Sequence, residues 1–249
     1  NGDDFIADAP IPRNTASPTH ACSPVAFPER FIISEYVEGS SSNKAIELYN
    51  GTGVAIDLQN YRMELFANGS TNPTNPLTWD TETILAAGDT YVIVNNQASD
   101  ELKAYGDITH SITNFNGDDA FVLYRITPEG NVVQDSFGQR GVDPGSGWGS
   151  GDTYTVDHTL VRKPTVCQGD TNPDDAFEPA LEYNGHPKDT FTNLGSHTMN
   201  CGGADLPPTV VSTNPANNAT DVALDSNITI TFSEAVTVSE GWFTISCTK

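Results

Sequence analysis

Short apolar runs alternate with turn-forming clusters along this chain, and the runs carry the period of β-strands rather than of helices. Phe31-Ile32-Ile33-Ser34-Glu35-Tyr36-Val37 is followed by a Gly/Ser turn over residues 39–42. Ala45-Ile46-Glu47-Leu48-Tyr49 then alternates apolar with polar before Asn50-Gly51. Residues 61–66, 91–94, 120–126 and 132–137 repeat the pattern. Asn68-Gly69, Asn116-Gly117 and Gly130-Asn131 separate these runs with residues that tolerate positive φ. A single helix is predicted at Ser99–Tyr105, with Ser99 as its cap and Gly106 as its stop. Short strands at near-regular spacing predict an all-β sandwich rather than an α/β enzyme core.

The pattern breaks at Gly202-Gly203-Ala204-Asp205-Leu206-Pro207-Pro208, which reads as a linker. Beyond it, residues 209–215 and 228–232 read as strands. Ile228, Ile230 and Phe232 are expected to face a core, and Thr229 and Thr231 solvent. About 40 residues follow the linker, too few for a self-sufficient sandwich. The expected division is therefore an extended segment 1–29, a sandwich 30–201, the linker 202–208 and an incomplete domain 209–249, completed by further sequence or by another chain. Asn1 opens without Met or a signal peptide, so the chain is expected to begin inside a longer or processed protein. The segment Asn14–Cys22 echoes Asn193–Cys201, each running from Asn through Ser and His to a Cys. On that reading residues 1–22 end a preceding copy of the same domain, and Cys22 pairs upstream.

Composition narrows the compartment. Eleven Lys+Arg stand against 33 Asp+Glu, a net charge of −22. Such a charge repels phosphate backbones and disfavours direct nucleic-acid binding. No apolar run approaches the roughly 18 residues of a membrane span. The four cysteines, Cys22, Cys167, Cys201 and Cys247, lack CxxC or zinc spacing. Disulfides in an oxidising compartment fit them better, with Cys167–Cys201 as the natural pair. That bond would close a loop rich in Asp, Pro and Gly, for roughly 3–4 kcal/mol in the chain-entropy view.

Several spaced motifs then occur in an order that resembles a bacterial lamin-tail domain. They are Ile33-Ser34-Glu35-Tyr36-Val37-Glu38-Gly39 with Asn43–Asn50, then Leu85–Ile93, Asn114–Ala120 and Asp135–Gln139. Trp148-Gly149-Ser150-Gly151 and His158–Lys163 continue the series, so the resemblance covers roughly residues 30–200. It implies an immunoglobulin-like β-sandwich with no catalytic residue to transfer. Residues 207–234 resemble the first half of a bacterial Ig-like surface-protein domain, which implies a partial second sandwich and a partner for Cys247 further along. Such domain pairs are found in large secreted proteins, including extracellular nucleases whose metallo-phosphoesterase domain lies downstream.

Candidate chemistry within the chain is sparse. The five histidines, His20, His110, His158, His186 and His197, are scattered in loop-like context, and GxSxG, HExxH and phosphate-loop motifs are absent. Asp170, Asn172 and Asp174 stand at the one-three-five spacing of a calcium loop, but Asp175 occupies the glycine position and Leu181 the twelfth. Trp79, Trp148, Tyr154 and Trp242 are more readily placed in cores than on a sugar platform. The expected function is thus a non-catalytic structural or interaction module of a secreted, multidomain bacterial protein, extracellular or at the cell surface. Its partners would be other domains of the polypeptide or neighbouring copies. Two alternatives stand beside it: an accessory region of an extracellular nuclease, or a subunit of an extracellular filament or surface layer whose unfinished C-terminal sheet accepts a neighbour's strand.

Overall fold

A computed structural model describes residues 30–201, 210–216, 219–220, 222–223 and 225–232. The expected segment 1–29, the linker 202–208, Cys22, Trp242 and Cys247 lie outside the described residues. The chain divides into two units, one spanning Ala26–Ala204 and another that includes Asp205–Lys249.

In the first unit the strands are β1 (Phe31–Glu38), β2 (Lys44–Asn50), β3 (Ile56–Asp57), β4 (Tyr61–Phe66), β5 (Thr74–Thr78) and β6 (Ile84–Leu85). They continue as β7 (Thr90–Val94), β8 (Ile108–Thr109), β9 (Ala120–Thr127), β10 (Gly130–Phe137), β11 (His158–Arg162) and β12 (Tyr183–Pro187). One sheet has the order β12-β11-β1-β2-β7-β8, the other β10-β9-β4-β5, and β3 pairs with β6. All pairings are antiparallel except β7 with β8. Phe31, Ile33, Tyr36, Ile46, Leu48, Met63, Phe121, Leu123, Phe137 and Leu160 fill the space between the two large sheets. Tyr36 stacks on Phe137 at 4.3 Å, and Phe115 meets Phe121 edge-on at 5.1 Å.

The outer faces are also covered, which the alternation in β2 does not announce. Every residue of β1 and β2 is buried. Val37, Ala45, Val92 and Val94 pack under Leu102 of helix α1 (Asp100–Lys103) and under Phe191 and Leu194. On the other sheet, Phe66, Ala120, Val122 and Tyr124 pack under Trp148, with Phe177 against them. Trp148 is therefore a core residue, as its sequence context suggests. The predicted helix is present but shorter, and Ser99 caps it through a 3.3 Å bond from the Leu102 N–H. A second single turn, α2 (Pro179–Glu182), has no counterpart among the expected elements; Glu178 caps it and Pro179 sits at its start.

The second unit contributes a hairpin of β13 (Val210–Asn214) and β14 (Thr229–Phe232). Ile230 and Phe232 are half-buried while Thr229 and Thr231 are exposed, the expected alternation. Ile228 departs from it: it precedes the strand and is exposed.

Candidate functional site

Three places concentrate chemistry in the first unit. The first is the acidic loop after β11. Cys167 and Cys201 are joined as expected, with Cα atoms 5.5 Å apart. The carboxylate of Asp174 pairs with Arg140, whose Nε and Nη2 both donate to it at 2.8 Å. Asp170 accepts from the Ser136 hydroxyl at 3.0 Å and from the Asn172 N–H at 2.9 Å, a local turn. Of the three proposed calcium side chains, Asp170 and Asp174 thus carry hydrogen bonds within the fold, and a cation at Asp174 would compete with the Arg140 pair. Among the described residues no group of three or more His, Cys, Asp or Glu side chains is arranged to hold a metal ion.

The second place is the charged centre of the sandwich. Arg162 is fully buried and reaches Asp135, which is also fully buried, and Glu182 at 2.6 Å. Its guanidinium lies 5.4 Å from the Tyr183 ring. Burial opposes the arginine charge, but Asp135, Tyr183 and Glu182 overcome it and hold the pKa above the ordinary value. Burial pushes Asp135 up, against the pull of Arg162 and of the Ile33 and Asp170 N–H groups. Asp135 receives those N–H bonds at 2.7 and 2.8 Å and so ties β1, β10 and the acidic loop together. The group is a structural ion pair, sealed from solvent. Lys44 and Glu38, also buried, make a second pair at the start of the β1–β2 hairpin.

The third place is a carboxyl pair on the outer face of the six-stranded sheet. Glu35 and Glu47 are direct cross-strand partners, each only 1% exposed. A bulge at Ser34 resets the alternation of β1, so that Ile33 and Tyr36 both face the core while Glu35 turns outward beside Glu47. Glu47 accepts from the Ser34 hydroxyl at 2.7 Å and from the Gly195 N–H at 2.6 Å. Neither oxygen of Glu35 has a partner, and burial and then Glu47 push its pKa up to about 9. Sequence reading missed both this pair and Arg162–Asp135. The available signal was a Ser-Glu step inside an apolar run, where a strand of strict period two would place Glu35 in the core.

A groove of about 560 Å³ is lined by Ile56, Asp57, Tyr61, Arg125, Ile126 and Glu129 among others. Burial pushes the Tyr61 hydroxyl up and Arg125 pulls it down. Among the described residues the histidines do not gather into a metal-holding group. His110 accepts from the Ile112 N–H at 3.1 Å, the His158 ring lies 2.7 Å from the Val156 carbonyl, and His186 sits in edge strand β12. His197 packs on Tyr49 at 4.9 Å, with its Nε2 buried and unpartnered. His20 lies outside the described residues.

With these parts in place, comparison with known families is decisive for residues 26–141, which match the Lamin Tail Domain family. Residues 204–249 match the Bacterial Ig-like domain family. The fold is all-β and immunoglobulin-like, as the resemblance implied. No curated protein matches the chain. Among solved structures, a DUF4876 family protein from Bacteroides thetaiotaomicron VPI-5482 is similar at 12% identity and a TM-score of 0.40. That match covers 72% of this chain and 74% of the other. Among the described residues no helix is long and apolar enough to cross a membrane.

Proposed function

We propose that this chain is a non-catalytic structural and interaction module of a secreted bacterial protein, working outside the cell. The observation that carries the reading is the tandem of a lamin tail domain and a bacterial Ig-like domain. The disulfide supports an oxidising compartment. The interior of the first unit supports a passive role too: the buried Arg162–Asp135 and Lys44–Glu38 pairs tie segments of the fold together rather than converging on a cleft. In this role the lamin tail domain is a rigid block, followed in the chain by the Ig-like domain.

The test is a hydrolysis assay of the purified chain on single- and double-stranded nucleic acid with magnesium, manganese or calcium. The reading expects no turnover above buffer. Turnover that co-elutes with the chain and disappears on substitution of one of its own carboxylates or histidines would overturn it.

A further inference from the structure

Residues 188–201 form a strap across the outer face of the six-stranded sheet. Asp189 receives bonds from the Ser40 N–H at 2.9 Å and its hydroxyl at 2.7 Å. The Thr159 hydroxyl donates to the Thr190 carbonyl at 3.0 Å, and Phe191 and Leu194 pack into the apolar cluster of that face. The Asn200 N–H donates to the Pro164 carbonyl at 2.7 Å, and Cys201 ends the strap in its disulfide. At its middle, Gly195 has φ of +90°, a conformation that suits glycine, and its N–H points onto Glu47. The strap is therefore fixed at its start and its end, and in its centre by one carboxylate.

That carboxylate sits directly across from Glu35, and two neighbouring like charges sealed from water each oppose the other's ionisation. The two differ in a way that assigns the charge. Glu47 has three donors, the Ser34 hydroxyl, the Gly195 N–H and the Thr90 side chain, which favour its ionised form. Glu35 has none. We propose that Glu35 and Glu47 hold one proton between them, resident on Glu35, and that this proton latches the strap onto the sheet. Opening the strap lets water reach Glu35, which then releases its proton to solvent; closing it takes one up.

The direction of the pH response follows from the groups that face the pair. Glu35, raised to about 9 by burial and then by Glu47, keeps its proton in the closed form and loses it in the open form above its ordinary value of 4.5. Closure on this account weakens about tenfold per pH unit from 4.5 to 9 and levels off above. Glu47, raised by burial and by Asp107, acts in the same direction. Tyr49 titrates above this range, pushed up by burial. On the strap itself His197 opposes the trend: burial, and then Arg162, lower it to about 4 from 6.5, so opening takes up a proton below 6.5. The two slopes cancel between 4.5 and 6.5, and closure is tightest there. Val37, Ala45, Val92 and Val94 on this face are apolar, Thr159 carries only a hydroxyl, and Lys188 at the start of the strap pairs with Asp157 at 3.1 Å.

The test is the protection factor of the Gly195 amide, measured by hydrogen exchange in the full chain from pH 5 to 9.5. The wild type is expected to hold nearly level to pH 6.5 and then lose about tenfold per unit up to 9. Glu35→Gln should remove the Glu35 share of that slope and leave only what Glu47 supplies, and His197→Gln should extend the wild-type slope down to 4.5. Should Glu35→Gln fold poorly, Glu47→Gln serves instead, and the levelling-off should move to lower pH. A wild-type profile flat from 6.5 to 9 would overturn the proposal. So would a slope undiminished in Glu35→Gln, or a rise in protection with millimolar calcium chloride, which would put a cation where the proton is assigned.

Discussion

Arg162 and Asp135 are the side chains on which most of the first unit's polar interior depends. Both are fully buried, and Asp135 is bonded to backbone from two other segments as well as to the guanidinium. Removing one partner of a buried pair leaves the other charged and unpaired, which is far costlier than losing a surface bridge. Arg162→Met is therefore expected to destabilise by about 3–5 kcal/mol in urea unfolding, and a loss under 1 kcal/mol would refute the central role of the pair. Asp174 supplies the contrast, since its side chain is 59% exposed. Asp174→Ala should cost less than about 1 kcal/mol, measured the same way. Neither residue is distinguishable by sequence alone, because a charge in a β-rich chain reads as surface unless the partner strand is known. Trp148 was legible, as a large ring amid glycines that need something to pack on.

The main strands were visible as elements because their apolar residues recur at period two, and β1, β2, β4, β7, β9 and β10 lie where those runs predict. The missed elements have physical reasons. β5 contains Pro76, which belongs on a sheet edge, and β5 is an edge strand. β12 contains Gly185 and Pro187 and resembles loop; a Cβ at Gly185 would overlap the Asp152 carbonyl, so only glycine fits there. The strap has no periodicity at all, and its role emerges only from the sheet it covers. The disulfide that ends it spans a separation of 34 residues, for which the chain-entropy view gives about 3–4 kcal/mol. Reduction should lower the melting temperature of the first unit by roughly 10 °C in calorimetry. An unchanged transition would mean that the acidic loop is held by its hydrogen bonds alone.

At the scale of the whole molecule, the −22 charge and the paired domains set the behaviour in solution. The pH optimum of stability follows from the two strongly shifted groups. Glu35 is raised to about 9, so folding holds its proton, and that stabilisation is complete below 4.5 and lost as pH rises to 9. His197 is lowered to about 4, so its contribution is present above 6.5 and lost on acidification towards 4. Thermal unfolding of the first unit should therefore peak between about pH 4.5 and 6.5 and decline on the alkaline side. A melting temperature that climbs steadily from pH 6.5 to 9 would contradict the Glu35 assignment.

The succession of two domain types was legible too, in the residues that resemble each family. The account rests on a chain that works as a discrete module beside its neighbours, and the most direct test is multi-angle light scattering of the purified chain with negative-stain imaging of the same sample. The account predicts a single species at the 26.6 kDa of one chain. Ordered polymers or rings would contradict it and make the chain a subunit of an extracellular assembly.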